Sequence, residues 1–190
     1  MRVYESPVGR LVLAAREGRL CLCDWEQLKE RKFGWRRLLG DIPERLETLE
    51  NADAAETSLS PADEAVVAKA CLELDEYFAG KRQSFDIPLC FIGTPFQNTV
   101  WEELLKISYG QITTYTAVAQ GIGRPDSVRA VANAIGANPL SIFVPCHRVI
   151  GADGSLTGYA GGLEAKRLLL GLENPSIEGR TSPKTLPLQP

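Results

Sequence analysis

The chain has 190 residues, enough for one large domain or two small ones, and is 44% hydrophobic and 24% charged. That balance is that of an ordinary soluble protein, and no apolar stretch approaches the ~20 residues of a membrane span, so no membrane is expected as a partner. With 21 basic against 24 acidic residues the net charge is -3, which excludes the gross basic footprint of a usual nucleic-acid-binding protein.

Met1-Arg2-Val3-Tyr4 leads directly into strand-like sequence, so no signal peptide is expected and the expected location is the cytoplasm. Residues 1–25 read as strands joined by a Glu17-Gly18 turn, alternating through Leu11, Leu13 and Leu20, Leu22. Cys21 and Cys23 alternate along the same stretch and are expected to point the same way. Residues 26–60 are polar and weakly periodic, and read as short helical pieces and flexible connection. A helix follows. Ser60 suits its cap and Pro61 its first position, Val67, Cys71, Leu74 and Phe78 share a face, and Gly80 ends it. These elements make a small α/β domain over 1–88, with 83–93 crossing to a second domain over 89–174.

Thr94-x-x-Gln97 is a capping-box pattern, after which Phe96, Val100, Trp101, Leu104 and Leu105 form an apolar helical face. A short helix is predicted over 116–120, ending at Gly121 and Gly123, and Arg124-Pro125-Asp126-Ser127 turns into another over 128–136. Two short helices across a tight turn are a helix-turn-helix pattern, although αα-hairpins also occur in proteins that never meet DNA. In the second helix Val128, Val131, Ala132 and Ile135 face the core, which leaves Arg129, Ala130, Asn133 and Ala134 outward. Small side chains with one long cation would let such a helix approach a groove; an Ala-rich surface helix chosen for propensity reads the same way. Residues 175–190 are rich in Pro, Ser and Thr without apolar periodicity, and are expected to be disordered.

Cys146 stands immediately before His147, the one histidine of the chain, after the turn signal Asn138-Pro139 and a short β-like apolar run over 141–144. A free thiol has a pKa of about 8.5 and needs a base or positive neighbour to become a thiolate at neutral pH. Adjacent side chains rarely face each other, so a water between His147 and the thiol fits better than a direct bond. An isolated Cys-His pair is equally compatible with a buried, inert cysteine. Five cysteines at irregular positions fit a reducing compartment rather than a disulfide framework, and Cys71 and Cys90 read as packing. Glu173, in the last turn of a helix starting near Leu163, opposes the helix dipole and so suggests a purpose other than helix stability.

The run Pro145-Cys146-His147-Arg148-Val149, followed by Gly158-Tyr159-Ala160-Gly161-Gly162, resembles the active-site signature of the O6-alkylguanine-DNA alkyltransferases. The resemblance extends through Gly93-Thr94-Pro95-Phe96-Gln97, Tyr109-Gly110, Tyr115, Arg129-Ala130-Val131 and Asn138-Pro139 to Glu173; before residue 90 it is loose. It implies an α+β protein: a small N-terminal α/β, ribonuclease H-like domain, then a mostly helical winged helix-turn-helix-type domain. It implies that Cys146 takes the alkyl group once and irreversibly, activated by a water, His147 and Glu173, with Asn138 bridging helix and active-site turn. By the same resemblance Tyr115, Val149, Tyr159 and Ala160 line the guanine pocket. Ser127, Arg129, Ala130 and Asn133 meet double-stranded DNA carrying O6-alkylguanine, with Arg129 replacing the base that is flipped out. Some family members carry an N-terminal structural zinc; the histidines for it are missing here, so no metal and no cofactor are expected. The expected state is a monomer, with cooperativity on DNA and activity on O4-alkylthymine left open.

Residues 94–174 hold six basic and six acidic side chains, so affinity for DNA must come from a few placed donors and helix N-termini. Two other readings share the Cys-His pair: a cysteine hydrolase, which would turn over, and a lesion-sensing DNA-binding protein without chemistry, which the presence of Cys146 disfavours.

Overall fold

Residues 17 and 18 both take positive φ (54° and 69°), which makes Glu17-Gly18 the two-residue turn whose twist matches antiparallel strands. In the computed structural model, which describes residues 1–26 and 60–177, this turn joins β2 (Gly9–Arg16) to β3 (Arg19–Trp25), and β1 (Arg2–Ser6) lies on the other side of β2. The polar stretch expected to be short helices and connection falls on 27–59, outside the described residues. The chain divides into two compact units, Met1–Thr94 with Pro139–Phe143, and Pro95–Asn138 with the residues from Val144 onward.

In the first unit β2 is buried from Leu11 to Ala15 and β3 from Leu20 to Trp25, so both sheet faces are covered rather than one. A bulge between Ala14 and Ala15 makes Cys21 the extra residue opposite them. Its thiol turns to the Ala14 carbonyl at 3.4 Å, among Val12, Ala14 and Leu22. Cys23 is not part of that cluster, and the thiol that helps to push its own up is Cys71. The expectation that Cys21 and Cys23 share a face is therefore corrected: one bulge residue reverses the period-two alternation. The outer edge of β3 does not stay open. Leu20 donates to the Pro88 carbonyl and accepts from the Cys90 amide, and Cys23 pairs with Leu140, so two parallel bridges cap the edge.

Helix α1 (Pro61–Phe78) starts at Ser60, whose hydroxyl accepts from Asp63 N at 3.2 Å, and buries Val67, Ala70, Leu74 and Tyr77. Its buried Glu73 accepts from the Asp86 amide at 2.9 Å, tying the helix to the following loop.

The second unit is built on α2 (Pro95–Leu104), α3 (Tyr115–Gly121), α4 (Val128–Gly136) and α5 (Gly162–Glu173), with the short parallel pair β4 (Thr113–Thr114) and β5 (Val149–Ile150). The Thr114 hydroxyl caps α3, and the 3-10 turn Pro125–Ser127 feeds α4, which gives the helix-turn-helix. Trp101 of α2 is buried and donates its indole N–H to the Ala134 carbonyl at 2.8 Å. That contact rotates the buried face of α4 onto Val131, Ala134 and Ile135, so Ala134 is inside rather than outward. Arg129, Ala130 and Asn133 are exposed as expected. The 3-10 turn Pro175–Ile177 corrects the start of the tail: Ile177 is buried with Ile150, Leu156 and Leu170, and 178–190 lie outside the described residues.

Candidate active site

The segment over 141–144 is not the expected β-like run. Phe143 N bonds back to Ser141 O at 2.9 Å and Ile142 takes φ 73°, a conformation β-branched residues rarely adopt, so the chain turns sharply just ahead of the thiol. Cys146 then opens a 3-10 turn, Cys146–Arg148, held by bonds from Cys146 N to Val144 O (2.8 Å) and Arg148 N to Pro145 O (3.0 Å). All three side chains of that turn are buried.

Asn138, two residues past α4 and 4% exposed, points its amide into this turn. Its Nδ2 donates to Val144 O at 3.0 Å and lies 3.2 Å from the Cys146 Sγ. One side chain thus links the end of the exposed helix to the sulfur. A donor at this distance favours the thiolate over the thiol.

On the other side of the turn, His147 is fully buried and its Nε2 lies 2.8 Å from Glu173 Oε1 at the end of α5. Glu173 also accepts from Arg148 through Nε (2.8 Å) and Nη2 (2.9 Å), and from the Gly110 amide at 3.2 Å. Burial alone would push this carboxyl up, yet its bonds to His147 and Arg148 outweigh burial and hold it well below the usual carboxylate range. Arg148 is always charged, so Glu173 stays ionised whether His147 is neutral or not. Burial holds His147 below its ordinary value, against the pull of Glu173. A neutral imidazole facing an ionised carboxylate keeps its proton on Nε2, and Nδ1 is the basic nitrogen. Nδ1 is buried and has no hydrogen-bond partner among the described residues.

The loop between β5 and α5 brings further groups to this centre. Tyr159 stands edge-on to the His147 ring, centroids 6.4 Å apart, and Tyr115 at the start of α3 donates to Thr157 O at 3.2 Å. Burial, assisted by the nearby Cys146, pushes the Tyr115 phenol above its ordinary value, so it remains a donor at neutral pH. Val149 is fully buried and Ala160 half-buried beside Tyr159. Cys146, His147, Glu173, Asn138, Val149, Tyr159 and Tyr115 are thus gathered in one region of the second unit. Ser127, Arg129, Ala130 and Asn133 form a separate surface on α4 and the turn before it. Arg129 makes no hydrogen bond or ion pair among the described residues.

Sequence reasoning missed two buried cations. Arg148 was quoted only as part of a motif, although a charge inside the apolar run around Val149-Ile150 is itself a signal. Lys166 is 0% exposed, and its Nζ donates to Val149 O (2.6 Å) and Thr157 O (2.8 Å). The signal was present there too, since Lys166 lies three and four residues before Leu169 and Leu170 on the buried face of α5. Tyr109 also belongs to this centre: its ring lies under the Arg148 guanidinium, 5.8 Å from the centroid, and its hydroxyl donates to Leu172 O at 3.3 Å. Among the described residues no three His, Cys, Asp or Glu stand together as metal ligands, and no helix is long and apolar enough to cross a membrane.

Two family models match. Residues 1–91 match the 6-O-methylguanine DNA methyltransferase ribonuclease-like domain, and 95–175 the DNA binding domain of the same family. The chain is 40% identical over 175 residues to a methylated-DNA--protein-cysteine methyltransferase of Methanosarcina barkeri, covering 92% of this chain and 97% of that one. It is 41% identical over 175 residues to the constitutive enzyme of that name from Bacillus subtilis, covering 92% and 94%. Its fold is similar to the crystal structure of Mycobacterium tuberculosis O6-methylguanine methyltransferase (TM-score 0.68, 38% identity, 96% and 94% covered). It is equally similar to Mycobacterium tuberculosis OGT in complex with DNA (TM-score 0.69, 38% identity, 96% and 94% covered).

Proposed function

The chain belongs to the 6-O-methylguanine DNA methyltransferase family, and from that premise we propose that Cys146 is the acceptor of the alkyl group. Its activity is that of a methylated-DNA--protein-cysteine methyltransferase, its partner is DNA, and its role is repair by moving an alkyl group from DNA to a protein cysteine. The observation that carries the assignment to Cys146 is the continuous set of contacts around it: Asn138 on the sulfur, and beside it His147 held by a Glu173 that Arg148 keeps ionised.

Transfer is a displacement at the alkyl carbon of O6-alkylguanine. The S–C bond forms as the O–C bond breaks, and the departing guanine takes up a proton. Nδ1 of His147, directly or through a water, accepts the thiol proton. Glu173 stabilises the imidazolium that results, and its own low pKa prevents it from taking the proton. The Tyr115 phenol, kept protonated by burial, is the donor closest in kind to the leaving base. The Val149 carbonyl accepts from the guanine exocyclic amine, Tyr159 walls the ring, and the Ala160 amide donates to the substrate oxygen. The product thioether resists water, so each molecule acts once, with no cofactor.

A guanine stacked in duplex presents its O6 behind base pairing, so the nucleotide must rotate out, at a cost of a few kcal/mol that is least for a mispaired alkylated base. Arg129 on exposed α4 fills the gap it leaves, with Ala130, Asn133 and Ser127 against the backbone. Of the basic side chains among the described residues of this unit, Arg148 and Lys166 are buried, which leaves few outward cations there and makes placement, not net charge, the source of affinity. The protein acts as a monomer in the cytoplasm. Intact mass after incubation with a duplex containing one O6-methylguanine tests this reading: a single methyl group mapping to Cys146 is expected. Many demethylated duplexes per protein, or a methyl group on another residue, would overturn it.

A further inference from the structure

The 88–90 segment is laid along the outer edge of β3 by bonds from both backbone and side chain. Leu20 donates to Pro88 O and accepts from Cys90 N, each at 2.8 Å, and the Arg19 guanidinium donates to Leu89 O through Nε (3.0 Å) and Nη2 (2.6 Å). Leu20 and Leu89 are thereby opposed across a parallel bridge, and the next positions along the two segments are Cys21 and Cys90. Side chains alternate along paired strands, so both thiols fall on the face opposite to Leu20 and Leu89. The packing agrees: Cys21 lies in a core cluster with Val12, Ala14 and Leu22, and Cys90 and Ile92 pack against that same cluster.

Neighbouring strands run about 4.7 to 4.9 Å apart, inside the range of about 4.4 to 6.8 Å between Cα atoms that a disulfide spans. Both thiols are free, and they differ in access. Cys21 is 1% exposed and bonded to the Ala14 carbonyl at 3.4 Å, and burial pushes its thiol up to about 11, so it is closed to a reagent in solution. Cys90 is only half-buried. A reachable thiol opposed to a sheltered one is the layout in which the first meets an oxidant and the second resolves the product. Cys23 and Cys71 stand differently, on a strand and a helix, where no ladder fixes their spacing.

We propose that Cys21 and Cys90 are a reversible disulfide pair, closed by exchange with a small-molecule disulfide such as oxidised glutathione. The Cys90 thiolate attacks one sulfur of the reagent, which forms a Cys90–glutathione disulfide and releases one glutathione thiolate. Rotation about its Cα–Cβ bond turns Cys21 Sγ from the Ala14 carbonyl towards Cys90. Its proton passes to the released thiolate, and its attack on the Cys90 sulfur expels the second glutathione. The protein gives up two hydrogens and the reagent becomes two thiols, so atoms and electrons balance. The new bond staples the segment that crosses between the two units to the edge of the sheet. In a reducing compartment the pair rests open.

Incubation of the reduced full chain with excess oxidised glutathione in a mildly alkaline buffer, followed by acid quench, capping of the remaining thiols and non-reducing peptide mass mapping, reads both steps. The wild-type protein is expected to lose two hydrogens as a monomer, with the Cys21 and Cys90 peptides linked, and to regain them with reduced glutathione. Closing a loop of this length should raise the melting temperature by roughly 5 to 15 °C over the reduced form. Cys21→Ser is expected to stop at glutathione on Cys90, and Cys90→Ser to leave Cys21 free. A wild-type protein that stops at the Cys90 adduct, or that links another pair such as Cys23 and Cys71, overturns the proposal whether or not the variants fold. So does a Cys21–Cys90 link that lowers the melting temperature, because the native sheet would then not hold the two thiols in register. None of these outcomes depends on which residue accepts the alkyl group.

Discussion

The sheet unit and the helical unit each bury thiols, and they do opposite things with them. Cys21 and Cys23 lie in the interior of β3, where burial pushes Cys21 up to about 11 and Cys23 well above its ordinary value. Nearby groups that could carry charge are chiefly other thiols and acids, which push the same way. Cys146 is also buried, at 6% exposed, but an amide donor lies on its sulfur and its chain neighbour is an imidazole held by a carboxylate. Burial alone makes a thiol inert. Burial with fixed polar partners makes a site in which charge is both possible and strongly felt.

The comparison breaks most sharply on substitution of the sulfur. Cys146→Ser is expected to abolish methyl transfer while duplex binding stays within a few fold, because the hydroxyl is a far weaker nucleophile of similar size. Cys21→Ser and Cys23→Ser should leave transfer per folded molecule unchanged; mass spectrometry of the protein after reaction checks all three. Next comes the base. His147→Ala is expected to slow transfer about 100-fold to 10,000-fold without changing its one-to-one stoichiometry, and single-turnover rates that match wild type would remove the histidine from the account.

Arg129→Ala should reduce reaction with duplex roughly 10-fold to 100-fold and leave reaction with free O6-benzylguanine nearly unchanged, since only the duplex requires a base to leave the stack. Equal losses on both substrates would mean that Arg129 shapes the pocket. Were it one phosphate contact, the deficit would shrink as salt rises.

A smaller effect is expected at Gly110, where φ is +72° and a Cβ would lie 3.1 Å from the Glu173 carbonyl oxygen. Gly110→Ala should cost about 1 to 3 kcal/mol in urea unfolding and, by shifting the carboxylate that its amide holds, slow transfer as well. Stability against pH provides the mildest test. His147 and Glu173 both bind protons less readily folded than unfolded, so their contribution is present above their ordinary values of 6.5 and 4.5 and is lost as pH falls through that range. The sheet thiols have the opposite sign: their contribution is present below 9.0 and is lost as pH rises through about 11. Amide exchange followed in each unit from pH 5 to pH 10 should therefore show the helical unit weakening on the acid side and β2 and β3 on the alkaline side.

Local chemistry was readable from the chain wherever one residue type does one job. Ser60 and Pro61 announce α1, Glu17-Gly18 announces a hairpin, the turn before Val128 announces α4, and Cys146-His147 within its motif announces the pair proposed to react. These rest on capping, on φ preference and on residue identity, all of which act over a few positions. What tertiary structure decided was which polar groups share a buried space. The bulge that separates Cys21 from Cys23, the rotation of α4 that buries Ala134 under Trp101, and the αL turn at Ile142 depend on packing partners far away in the chain. The same holds for the centre of the site. Glu173 was expected to orient His147, but its capture by Arg148 and the Gly110 amide, and the enclosure of Lys166 against the Val149 and Thr157 carbonyls, join residues up to 63 positions apart. Their charge states follow from burial and from one another, which exist only once the chain has folded.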